Sequence, residues 1–289
     1  MMIKNYRFAG IEISIHIPKE KMYENEYHLE KFSVHNVKEP YEYFFELRES
    51  LEEPIGECIV MNQGYRVYQD GHARIRYVGT VGDSLDGAYI RTYSIGKRNE
   101  VQLLESKFPN RIGIKTVLKS MDVQHLLTQI QGLILHCSYV AYNDKAILFT
   151  APSETGKSTQ AELWKNLRNA QIINGDRAAV RLVNGEIYAE GIPFAGSSIY
   201  CNNKSIPISA IVYLGQAHET SICRLNGYQA FSKIWEGVSV NSWDKTDVEL
   251  VSEVVSQIVK QVPIYYLKCT PDESAVIAVE NVLKEVGKV

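Results

Sequence analysis

The chain has 289 residues, 45% of them hydrophobic and 22% charged, with a formal net charge of −3. That length suits one large domain or two modest ones, and the composition is that of a soluble globular protein rather than a disordered one. The near-neutral balance excludes a global field drawing the chain to nucleic acid or an anionic membrane, and no apolar run reaches the roughly 18 residues of a membrane span.

The chain opens Met1-Met2-Ile3-Lys4-Asn5-Tyr6-Arg7, with no apolar stretch behind the charges, so it does not read as a secretory signal. Phe8 to Ile17 alternates apolar and polar residues, the period of one half-buried strand. Tyr41 to Leu47, Glu57 to Met61, Tyr65 to Tyr68, Ala73 to Val78 and Tyr89 to Ser94 are further short strand candidates. Turn signals at Asn62-Gln63-Gly64, Asp70-Gly71 and Gly82 to Gly87 separate several of them, a pattern that predicts a meandering antiparallel sheet. The many tyrosines here fit strand packing.

The pattern changes near residue 110. Val123, Leu126, Leu127, Ile130, Leu133 and Ile134 recur at helical spacing, which predicts an amphipathic helix over about 122–135. His136 to Tyr142 and Lys145 to Thr150 read as a hairpin turning at Asn143-Asp144, the second strand apolar enough to be central. A helix to about Asn169, a strand over Ala170 to Ile173 and a hairpin at Asn184-Gly185 follow. Ala210 to Leu214 is a buried strand. Tyr228 to Gly237 and Asp247 to Gln261 read as helices, and Pro263 to Leu267 as a last strand. Thr270-Pro271-Asp272-Glu273 starts a final helix running to about Val286. The fold class expected is α/β: a β-rich N-terminal domain over residues 1–115 and a P-loop domain over 116–289.

The most informative stretch runs from Ile147 to Thr159. An apolar strand, a loop and Gly156-Lys157-Ser158-Thr159 lead into a helix-compatible run, the context a phosphate-binding loop requires. Backbone amides of such a loop, together with the positive end of the helix dipole, cradle phosphate oxygens. Ser153, Glu154, Thr155, Gly156, Lys157, Ser158 and Thr159 are the expected nucleotide contacts. Gly156 permits close approach of backbone to phosphate, Lys157 reaches the β- and γ-phosphates, and the Ser158 hydroxyl ligates Mg²⁺. Ala151 stands where the usual motif begins with Gly; its methyl is tolerated if φ there is negative.

His136 lies on the strand before the loop strand, and Asp176 ends the run Gln171-Ile172-Ile173-Asn174-Gly175-Asp176. Together with the loop, this arrangement resembles the C-terminal catalytic domain of HPr kinase/phosphorylase, which shares its fold with ATP-dependent phosphoenolpyruvate carboxykinases. The resemblance covers about residues 120 to 285. It is closer still to the broad group of HPr kinase-like proteins found beside peptide-modifying enzymes, on stretches like Gly191 to Ser198 and Leu214 to Glu219. It implies that Lys157 is the catalytic loop lysine, Ser158 the magnesium ligand, His136 the active-site histidine, and Asp176 the acid that takes the acceptor's proton. Asp176 matches the second of two successive aspartates; Gly175 stands at the first, which weakens a phosphorolytic reaction more than a kinase reaction. Glu190 is matched loosely to a second metal-binding acid. The family's oligomeric habit leaves a homo-oligomer open.

The expected function is therefore ATP- and Mg²⁺-dependent transfer of the γ-phosphate to a hydroxyl, on a serine of a peptide or small protein such as a ribosomally made precursor. A small-molecule hydroxyl kinase and a decayed nucleotide-binding accessory protein are the alternatives. Plainer readings stand beside the site residues: His136 as a structural strand residue, Asp176-Arg177 as a turn with a surface ion pair, and Gly196 to Ser198 as an ordinary loop. Arg177 and Lys204 are candidate extra phosphate clamps. Cys58, Cys137, Cys201, Cys223 and Cys269 are scattered without a Cys-x-x-Cys pair, which predicts buried reduced thiols in a cytoplasmic protein.

Overall fold

The computed structural model describes residues 1–21, 27–62, 65–79, 88–93, 96–110 and 112–285. The turn positions 63–64 and 82–87, Ser94 and Val286 lie outside the described residues. The chain divides into two compact units, Met1–Val123 and Gln124–Val289. A division between residues 115 and 116 would cut the helix over 114–120, all of which lies in the first unit. That helix is tied at its end to the first, because Tyr43 donates to the Met121 carbonyl and Arg76 to the Ser120 carbonyl.

In the first unit, β1 (Met2–Phe8), β2 (Ile11–Ile17), α1 (Tyr27–Glu30) and β3 (Tyr41–Arg48) are followed by β4 (Glu57–Asn62), β5 (Tyr65–Asp70), β6 (Ala73–Val78), β7 (Ala88–Tyr93), β8 (Arg98–Leu104) and α2 (Ile114–Ser120). Phe8 to Ile17 is not one strand. Ala9 and Gly10 both take positive φ, 46° and 73°, and fold β1 back on β2 as a hairpin. An alanine at that turn is why the alternation read straight through.

The sheet order is β1-β2-β3-β8-β7-β6-β5-β4. The antiparallel meander expected from the sequence holds from β4 to β8 but not beyond, since β3 lies parallel to both β2 and β8. Parallel neighbours need crossovers, and α1 sits in one of them. Tyr68, Tyr77 and Tyr89 are buried and meet edge to face, with centroids 5.9 and 5.4 Å apart. The tyrosines there build core.

The second unit contains α3 (Val123–Thr128), β9 (Gly132–Tyr142), β10 (Lys145–Thr150), α4 (Lys157–Arg168), β11 (Gln171–Asn174), β12 (Arg177–Val183), β13 (Glu186–Glu190) and β14 (Ser205–Gln216). After these come β15 (Ser221–Leu225), α5 (Gly227–Trp235), β16 (Val238–Ser239), α6 (Lys245–Gln261), β17 (Ile264–Cys269) and α7 (Glu273–Glu285). The expected helix over 122–135 stops at Thr128. Gln131 takes φ 56°, and Leu133, Ile134 and Leu135 enter β9, buried on both faces. A short apolar run carries no period that separates a helix from a doubly covered strand.

β10 is central, antiparallel to β9 and parallel to β14, which is parallel in turn to β17. One core packs α5 and α6 on the sheet through Ile234, Val251, Val255 and Ile258. A second packs α4 and α7 through Trp164, Val276, Val279 and Leu283. Helices therefore cover both faces of a mixed sheet, and the unit is α/β. No helix among the described residues is long and apolar enough to cross a membrane. Of the cysteines, Cys137 and Cys201 are buried as expected, whereas Cys58 and Cys223 are exposed; all five are free thiols.

Candidate active site

Ile147, Leu148 and Phe149 are completely buried and anchor β10, so the chain leaves the sheet at Ala151 from a fixed point. In the 151–156 loop, Glu154 takes φ 65° and Gly156 φ 115°, left-handed values that turn the backbone tightly into α4. Ala151 is not among the residues of positive φ, so its methyl is accommodated. No side chain caps the start of α4, which leaves its first amides unclaimed by the protein's own side chains. Ser153, Glu154, Ser158 and Thr159 are exposed along this turn, with Thr155 and Gly156 half-buried.

Lys157 is buried, and its Nζ donates to the carbonyls of Ala151 and Pro152, each at 3.0 Å. Burial holds its pKa below the ordinary lysine value, opposed by the negative charge of Asp176. The cation thus lies folded onto the loop, satisfied only by neutral acceptors.

Asp176 follows β11, where the backbone is organised by Asn174. That side chain is fully buried and makes four hydrogen bonds. Its Nδ2 donates to the carbonyls of Ile192 and Phe194, and its Oδ1 accepts from the amides of Asp176 and Arg177. One amide thereby ties the Asp176 turn to the 191–198 loop. Gly196, with φ 56°, lies so close that a Cβ there would stand 2.9 Å from Asp176 Cγ. Gly175 is equally constrained, because a Cβ would meet Ser198 Oγ at 2.1 Å. An aspartate at 175 therefore conflicts with Ser198 in this packing.

His136 Nε2 lies 3.4 Å from Asp176 Oδ1, and Arg177 Nε lies 3.1 Å from Oδ2. His136 sits where the β12 ladder on one edge of β9 begins (Arg177 opposite His136) and the β10 ladder on its other edge ends (Thr150 opposite Cys137). Its backbone is pinned on both sides: the amide donates to Gly237 O, and the carbonyl accepts from Thr150 Oγ1. Burial lowers its pKa first and the Lys157 charge second, while Asp176 pulls the other way. The imidazole is held toward its neutral form.

Ser158 and Asp176 border one cavity of about 370 Å³, shared with Glu162, Ser197, Ser198 and Tyr200. The loop, Lys157, Asp176 and His136 form one cluster. Glu190 does not border that cavity. It is buried on β13, ion-paired with Arg181 and accepting from Ser205 Oγ, so both of its oxygens are already engaged. Lys204 reaches Gln171 rather than the loop. Asn174 escaped the sequence reading; the Asn-Gly step before Asp176 marks a turn, but nothing local announces that its amide holds a loop twenty residues away. The cluster can bind an anion at the turn and present one oriented carboxylate beside it.

No curated protein matches this chain. Among solved structures, 76 chains match. One is the Hpr(Ser) kinase/phosphatase from Coxiella burnetii, 9% identical, with a TM-score of 0.34, covering 53% of this chain and 98% of that one. The family model described as SynChlorMet cassette protein ScmC matches residues 105–284, more than half of the sequence and the whole of the site just described, and the chain belongs to that family.

Proposed function

We propose that the chain is an ATP- and Mg²⁺-dependent kinase that transfers the γ-phosphate to a hydroxyl, with a serine of a peptide or small protein as acceptor. The observation that carries this reading is that Ser158, in the first turn of α4, and Asp176, at the end of β11, share one cavity, with Lys157 buried behind the loop. The residues present fit a magnesium triphosphate. The helix start is uncapped, Gly156 keeps the turn open, and a lysine paired only with carbonyls is available to phosphate. Ser158 would hold Mg²⁺, which when bound supplies neutralisation of the triphosphate charge.

Lys157 exchanges two neutral acceptors for phosphate oxygens, a stronger charge-assisted contact. Asp176 accepts the proton of the acceptor hydroxyl as its oxygen attacks the γ-phosphorus; the bond to the bridging oxygen breaks and ADP leaves. His136 and Arg177 lie within ion-pair distance of one carboxylate oxygen each, which places positive character and N–H groups around the base. The resemblance to HPr kinase-like proteins supports a serine acceptor, and membership in a family named for a cassette supports an acceptor made alongside this chain.

Gly175, where the resemblance implies an acid, favours a second reading: a nucleotide-binding accessory protein without transfer. Incubation with γ-labelled ATP, Mg²⁺ and a panel of peptides and small hydroxy compounds separates the two. The kinase reading expects Asp176→Asn to bind ATP within about threefold of wild type and to lose at least about a hundredfold in transfer. Undiminished transfer by that variant removes Asp176 as the base. Wild-type protein that binds ATP and labels nothing supports the accessory reading.

A further inference from the structure

The hydroxyl-bearing residues that border the Asp176 cavity are Ser158, Ser197, Ser198 and Tyr200. Two of these hydroxyls are engaged by the protein. Ser198 Oγ accepts from the Tyr200 amide at 3.1 Å, and the Tyr200 phenol accepts from Lys165 Nζ at 2.7 Å. Ser158 lies in the first turn of α4, on the nucleotide side, where the reading above gives it to magnesium. Ser197 is exposed, and among the described residues its hydroxyl has no hydrogen-bond partner.

The backbone brings Ser197 close to the carboxylate. The Ser198 amide donates to the Ala195 carbonyl at 2.8 Å, which closes a tight turn with Gly196 and Ser197 at its tip. The base of this turn is fixed, because Asn174 Nδ2 donates to the Phe194 carbonyl and Ser198 packs on Gly175. Gly196 stands against both oxygens of Asp176: a Cβ there would lie 3.0 Å from Oδ1 and 3.1 Å from Oδ2. The next Cα along a trans chain is about 3.8 Å away, so Ser197 is one residue's reach from the base.

Building on the kinase reading above, we propose that Ser197 is a self-phosphorylation site. With ATP on the loop and no external acceptor seated, Ser197 Oγ attacks the γ-phosphorus. The new O–P bond forms as the bond to the β–γ bridging oxygen breaks, Asp176 takes the hydroxyl proton, and ADP leaves. A hydroxyl carried on the same chain replaces an encounter between two molecules by an intramolecular step.

Incubation of the full chain with γ-labelled ATP and Mg²⁺, in the absence of peptide, tests this. Intact-mass measurement should show one added phosphate, and fragmentation should place it on Ser197. The initial rate per chain should stay constant over about a tenfold range of protein concentration. Ser197→Thr should keep the label, whereas Ser197→Ala should lose at least about twentyfold of it and still bind ATP within about threefold of wild type. Because Ser197 is exposed, neither substitution disturbs the core. Phosphate on another residue, a rate per chain that rises with protein concentration, or an unlabelled chain that still transfers phosphate to a peptide or small hydroxy compound would overturn the proposal and leave the kinase reading standing. No transfer to any acceptor, the chain itself included, would remove both.

Discussion

Lys157 and His136 are each pushed toward the neutral form by burial. For His136 the consequence is a pH dependence of stability. Above the ordinary imidazole value, folded and unfolded chains are alike at this site. As pH falls through that value the unfolded chain takes up a proton that the folded chain resists, so stability drops until the lowered folded-state value is reached. Replacing His136 by Gln removes this component. Urea midpoints measured at pH 7 and pH 5 should therefore fall less in His136→Gln than in wild type; an equal or steeper fall in the variant would contradict the burial-driven shift. Gly175 is also explained at this scale. The missing acid is not a free choice of side chain, because Ser198 fills the space a Cβ would need.

At the scale of elements, the first turn of α4 borders the cavity that Asp176 also lines, and the body of the helix anchors the loop. Trp164, fully buried, meets Tyr142 edge to face and lies against Phe149 of the loop strand, with centroids 5.2 and 6.3 Å away. Trp164→Ala should cost about 3–5 kcal/mol of stability through the cavity it leaves, read as a lowered urea midpoint. Because the ring joins α4 to β10, nucleotide affinity should fall as well. A variant as stable as wild type would mean that α4 is held by other contacts.

The hairpin at Asn143-Asp144 was legible at this scale. Both residues take positive φ, 47° and 58°, the conformation that Asn and Asp tolerate best after glycine. β15 and β16 were not seen in the sequence. β15, Ser221–Leu225, is largely exposed and is defined by its pairing with β17, which only the assembled sheet supplies.

Across the whole molecule, local chemistry was readable and long-range pairing was not. The loop from Ala151 to Thr159 could be found because amides, glycine and lysine must be adjacent in sequence to cradle an anion. Asp176 and His136 came from resemblance, and the structure puts them within 3.4 Å of each other. The parallel placement of β3 between β2 and β8 had no local signature, since it depends on crossovers. The surroundings of Glu190 were hidden for the same reason. Its partner Arg181 lies diagonally across β12 and β13, and a sequence shows only an acid near the right position.

The central claim is that the 151–159 turn closes on a triphosphate beside Asp176. Its most direct test is a crystal structure with Mg²⁺ and a non-hydrolysable ATP analogue. Phosphates should lodge on the amides of this turn, with Lys157 Nζ drawn off the Ala151 and Pro152 carbonyls onto phosphate oxygen and Asp176 facing the terminal phosphate. A turn empty at saturating nucleotide, with Lys157 still on those two carbonyls, would contradict it.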